Sequence, residues 1–152
     1  MSGLTHNAID ALRESAATHP TPDSVQQEMQ KQKDIEAAKQ AEAAVRAERL
    51  AVLGVVGKTY DAMRDQQSMS VSSVGVIHTA KVMTACMEYA SRNGFGGMNR
   101  AHATWQLRQG GVFKFAADSA SSWNRDCSNK DYVDYTDLGR LLLKKMKVHD
   151  AG

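Results

Sequence analysis

No aromatic residue stands before Tyr60, and every Phe and Trp of the chain falls between Phe95 and Trp123. Large side chains supply most of the area that a core buries. The first third therefore cannot build a core alone, while the segment 92–125 gathers both Trp, all three Phe and four Arg. One end reads as a supporting or oligomerising element, the other as the place where something is held. At 152 residues the length fits one domain.

Residues 4–17 read as a short amphipathic helix carrying Leu4, Ala8 and Leu12, broken by His19, Pro20 and Pro22. A new start follows, with Thr21 as cap and Pro22 at the first helical position. From there to Leu53 the residues are almost wholly strong helix formers, predicting a long exposed helix. Its apolar stripe (Val25, Met29, Ile35, Ala38, Ala41, Val45, Leu50, Val52) is thin and drifts from a strict heptad. Such a helix either supports a neighbour from solvent or serves as an assembly surface of coiled-coil type.

Gly54 and Gly57 loosen the chain, and a helix can resume or continue to about Gln67. Ser68–Gly75 reads as a loop. Residues 76–92 carry Ile77, Ala80, Met83, Cys86, Met87 and Ala90 at helical spacing and read as the best core helix. A short helix is expected from Asn99 to about Arg108. Val112–Phe115 alternates like a strand or begins another helix, and Thr136 caps a last helix with Leu138, Leu141, Leu142 and Met146. The expected fold class is mainly α, a long exposed N-terminal helix followed by a compact helical bundle. The expected division is 1–22 (short helix and linker), 23–53 (long Gln/Ala/Glu/Lys-rich helix) and 54–152 (helical core).

Charge is uneven. Residues 92–125 hold five bases (Arg92, Arg100, Arg108, Lys114, Arg125) against one acid, Asp118, a net of +4. Arginines pair phosphates bidentately and flat aromatics stack on bases, so these five are candidate nucleic-acid contacts for a single strand. The aromatics are equally the largest core residues available. Catalytic patterns fail. Gly54–Thr59 (GVVGKT) has Val52 where a phosphate loop needs glycine, and the five His are scattered. A fold could still bring His78 or His102 beside Cys86 or Asp118. No catalytic residue, metal site or cofactor is expected. Cys86 and Cys127 read as free thiols of a reducing compartment. No run is long and apolar enough to span a membrane, and the N-terminus lacks signal-peptide order.

Cys86-Met87-Glu88-Tyr89-Ala90, then Trp105-Gln106, then Lys114-Phe115-Ala116-Ala117-Asp118 resemble, in the same order, the core of coat proteins from flexible filamentous plant RNA viruses. The resemblance covers about 33 of the 152 residues. It implies a helical core that holds one RNA strand in a groove, with terminal arms linking subunits. Arg100, Arg108 and Lys114 would then be RNA contacts, and Asp118 would pair an arginine internally.

The sequence thus leads to a non-enzymatic, self-associating structural protein. Its concrete form is a virion component (nucleic-acid-coating, internal or tail), located in the virion or host cytoplasm and not secreted. Its partners are copies of itself and single-stranded nucleic acid. The alternative is an oligomeric nucleic-acid-associated or adaptor protein of a bacterial cell.

Overall fold

Thr21 starts the first helix. Its Oγ1 accepts the backbone N–H of Ser24 at 3.1 Å, and Pro22, with no donor to lose, takes the first helical position. The computed structural model describes residues 21–151, so the helix expected over 4–17 lies outside the described residues. Helix α1 is Pro22–Ala62. The chain divides into two units, Met1–Glu42 and Ala43–Gly152.

In the first unit the described residues 22–42 are helical and almost entirely exposed. Gln30 Nε2 donates to Asp34 Oδ1 four residues on, at 2.9 Å, a typical support for a solvated helix face. Val25, Met29 and Ile35 are exposed with the polar residues.

In the second unit the helix changes character. Ala51, Val52, Val55, Val56, Thr59 and Tyr60 are buried at three- and four-residue spacing. Gly54 and Gly57 do not interrupt it. A Cβ on Gly54 would stand 2.8 Å from the Trp105 ring, so the missing side chain is what lets that ring approach the helix. A single turn of 3₁₀ helix (Gln66–Ser68) leads into four strands, β1 (Ser70–His78), β2 (Val82–Arg92), β3 (Met98–Arg108) and β4 (Phe113–Ala117). Helix α2 (Ala120–Asp126), the two-residue strand β5 (Val133–Asp134) and helix α3 (Thr136–Ala151) complete the chain. The strands form one sheet in the order β4-β3-β2-β1-β5, and every neighbouring pair is antiparallel.

Alternation divides this sheet into an inner and an outer face. Val74, Val76, Met83, Ala85, Met87, Tyr89 and Ala103 lie on the inner face and form the core with helix residues 51–60 and Leu143 of α3. Trp105, Phe115, Leu138, Leu142 and Met146 pack against it. Gly139 lets α3 come down on β1, since a Cβ there would meet Val74 at 2.6 Å. The pairing of β1 with β2 slips between Val71 and Ser73. Arg140 of α3 caps that bulge, its Nε donating to Val71 O at 3.0 Å and its Nη2 to Ser72 O at 3.1 Å.

The helical bundle expected from the sequence is therefore overturned: the second unit is an antiparallel sheet with helices on it. The reason is a coincidence of periods. Residues 76–92 have apolar residues at helical spacing, but Met83, Ala85, Met87 and Tyr89 also alternate with Thr84 and Glu88. The period-two pattern wins because it places all four in one core. The turn at residues 79–81 contains neither Gly nor Pro. The chain closes it with Thr79, whose N–H and hydroxyl both donate to Val82 O. The loop expected over 68–75 is mostly strand β1, and the helix expected over 99–108 is β3. The helical core implied by the resemblance is absent with them, because Cys86–Asp118 folds as β2, β3 and β4.

A helix reading puts Ile77 and Met87 together in the core, whereas the sheet puts them on opposite faces. Met87→Ala should cost about 2–5 kcal/mol of stability in urea unfolding, and Ile77→Ala clearly less. Equal losses would contradict the two-faced sheet.

Candidate functional site

The outer face of the sheet carries the polar residues. Register sets Thr84 opposite Gln106, Cys86 opposite Thr104, Glu88 opposite His102 and Ala90 opposite Arg100. On β4, Lys114 stands opposite Gln106. The middle of this face is covered by α2 and the loop after it. Ser119 caps α2 by accepting the N–H of Ser122 at 3.2 Å. Trp123 then stacks on His102, ring centroids 4.1 Å apart. Beneath it, His102 Nε2 lies 3.3 Å from Glu88 Oε1, and Ser73 Oγ donates to Glu88 Oε2 at 3.3 Å. Cys127 is joined to Cys86 of β2 by a disulfide. Tyr132 lies over Gly75, where a Cβ would meet its ring at 2.2 Å.

The disulfide corrects the expectation of free thiols. Sequence separation hid it: 41 residues part the two cysteines, and only the return of α2 across β2 brings them together. Of the juxtapositions left open by the sequence, His102 and Asp118 touch only through the backbone, the Asp118 N–H donating to His102 O at 2.7 Å, while the His102 ring lies against Glu88 and Trp123. Asp118 takes φ +54 in that turn and makes no ion pair with an arginine among the described residues.

The five candidate nucleic-acid contacts do not converge. Arg92 and Arg100 lie at the end of the sheet beside the β2–β3 turn, and Arg108 at the other end. Eight residues of strand separate Arg100 from Arg108, roughly 26 Å at ~3.3 Å per residue. Lys114 lies on the edge strand. Arg125 is committed to Asp126, its Nε and Nη2 donating to the two carboxylate oxygens at 3.0 and 2.9 Å. That guanidinium holds the Asp126 carboxyl below its ordinary value. The aromatics do not join the arginines as a stacking platform either. Trp105 and Phe115 pack on the core, Trp123 lies on His102, and Phe113, half exposed, pairs with Leu107 with the Lys58 ammonium 5.5 Å from its ring centroid. Phe95, in the β2–β3 turn, is wholly exposed.

One end of the outer face does form a concavity. A cleft of about 630 Å³ is lined by Lys81, Arg108 and Lys130, with Thr84, Gln106 and Asp126 among the other polar groups. Sequence reasoning found Arg108 and missed the two lysines, which fall outside the 92–125 window. The signal was the strand register: Val82 pairs with Arg108, so Lys81 stands beside it.

A second polar cluster sits on the inner side. Glu48 of α1 is only 8% exposed. Its Oε2 accepts the Tyr135 hydroxyl at 2.8 Å, and its Oε1 lies 3.7 Å from His78 Nδ1. The carboxylate thus ties helix α1 to the start of α3 through Tyr135 and stands close to His78 at the end of β1. Among the described residues no group of three His, Cys, Asp or Glu side chains could hold a metal, and no helix is long and apolar enough to cross a membrane. No family model, curated protein or solved structure matches the chain.

Burial first, and the hydrogen bond to Glu48 second, push the Tyr135 hydroxyl up to about 12 from an ordinary 10.0. The raised value means that the folded state favours the neutral phenol, so the contribution is complete below pH 10 and fades as pH rises through about 12. Tyr135→Phe should cost about 1–3 kcal/mol at neutral pH. The gap between wild type and variant in chemical unfolding should close as the solution is made strongly alkaline. A gap that stays constant through that range would show that the bond is not what the phenol contributes.

Proposed function

We propose that the protein is a non-enzymatic, self-associating structural protein, with helix residues 22–42 making contacts between copies. The observation that carries this reading is the exposure of Val25, Met29 and Ile35 on a segment with no core of its own. A lone solvated helix gains little from propensity and needs a second surface to bury its apolar side chains. Val25 and Met29 form a shallow apolar groove flanked by Glu28, Gln32 and Lys33. Two antiparallel copies would seal such a groove and bring Glu28 of one toward Lys33 of the other, a pairing that sets orientation.

A virion component is the setting we favour, of the internal or tail kind. Coating a single strand calls for aromatics beside arginines, and Trp105, Phe115 and Trp123 are used for packing instead. The Cys86–Cys127 disulfide supports an assembly exposed to oxidising surroundings over one kept in a reducing cytoplasm. The bacterial adaptor is the second reading, supported by the same helix.

Size of the full-length protein by light scattering tests this. Wild type should run as an oligomer that dissociates on dilution, and the double variant Met29→Glu, Ile35→Glu should be monomeric, with weaker helical circular dichroism but the unfolding transition of the sheet unit unchanged. A wild type that stays monomeric at high concentration would contradict the proposal.

A further inference from the structure

We infer that the cleft between α2 and the end of β2–β3 is a binding site for a small phosphate-bearing molecule. This goes beyond the structural role proposed above and does not depend on it.

Three features support the assignment. The first is unspent positive charge. Lys81, Arg108 and Lys130 line the cleft, and among the described residues none forms an ion pair with a carboxylate. The single acid in the lining, Asp126, is held chiefly by the bidentate Arg125 and feels Lys130 more weakly, which leaves a net positive cleft. Cations in a concave site with low-dielectric walls focus positive potential on whatever enters. Arginine adds planar donors that fit phosphate oxygens.

The second feature is a fixed polar floor. Thr84 and Gln106 are both nearly fully buried. Gln106 Nε2 donates to Thr84 Oγ1 at 3.2 Å, while its Oε1 accepts from Arg108 Nη2 at 3.3 Å. The guanidinium is therefore oriented from below by a group that cannot move away. Buried polar side chains cost free energy unless they are bonded, and this pair is bonded in a way that aims Arg108 along the face.

The third is that the cleft, open to solvent above, is bounded at its sides, which argues for a small ligand over a strand. The turn at residues 79–81 limits the cleft on one side, where Gln109 N–H donates to Lys81 O at 3.3 Å. Asp126 and Lys130 of α2 and its following loop limit it on the other. A nucleic-acid strand would need cations continuing along the face. Instead, His102 under Trp123 occupies the middle, and Arg100 lies at the far end. The volume falls in the range of pockets that enclose small ligands. The wall that carries Asp126 and Lys130 is held to the sheet by the Cys86–Cys127 disulfide, so the site depends on that bond.

Calorimetric titration of the full-length protein with inorganic pyrophosphate, at moderate salt, tests the inference. Saturable binding should weaken at least tenfold in the Lys81→Gln, Lys130→Gln double variant, about 1.4 kcal/mol. It should be unchanged in Arg100→Gln. Both variants alter exposed side chains and should keep the wild-type melting temperature. Reduction of the disulfide should weaken binding as well. A titration with no saturation would overturn the inference. So would equal loss in Arg100→Gln, which would mean diffuse charge, not a site. Oligonucleotide affinity that rises with length and requires Arg100 would replace the cleft with a strand-tracking face.

Discussion

Everything in the second unit follows from the need to cover one face of an antiparallel meander. Three consecutive strands present Val74, Val76, Met83, Ala85, Met87 and Ala103 on the same side, and that side is stable only if something apolar lies on it. Helix residues 51–60 and the Leu138–Met146 stretch of α3 supply the cover. Two close approaches make the fit possible, Gly54 under Trp105 and Gly139 on Val74. Arg140 on the β1 bulge and Glu48 on Tyr135 then fix where each helix lies. These polar ties specify position, and the apolar contacts supply most of the stability.

The outer face has the opposite problem. It is polar along β3 (Arg100, His102, Thr104, Gln106, Arg108) and needs no core. Even so, α2 is drawn across its middle by a disulfide and an aromatic stack. The covered middle separates the charged ends. As a result the outer face has a bounded cleft at one end instead of a continuous basic groove, and local charge counts in the sequence could not reveal this. Chain proximity made Arg92 and Arg125 neighbours of Arg108 in a window, but strand register made Lys81 its neighbour in space.

The parts legible in the sequence were those with local causes. Thr21 and Pro22 start α1 because capping and the absent proline donor act within one turn. Thr136 opens α3, with the Asp134 carboxylate accepting its N–H at 3.0 Å. The solvated character of residues 22–42 follows from composition alone. What was illegible depended on long-range pairing. The apolar residues of 76–92 satisfy periods of two and of three to four at once, the Ser- and Gly-rich start of β1 has the composition of a loop, and the turn at 79–81 carries no glycine or proline to mark it. The Cys86–Cys127 bond and the Glu48–Tyr135 contact link residues 41 and 87 positions apart. Neither distance leaves a trace in spacing.

Hydrogen exchange on the full-length protein at two concentrations is the most direct test of the central claim, that the sheet unit is self-sufficient while helix residues 22–42 depend on another copy. The account predicts that amides of β2 and β3 exchange slowest and at the same rate in both samples, and that those of residues 25–40 are protected more strongly in the concentrated one. Protection of residues 25–40 that is strong and independent of concentration would contradict it.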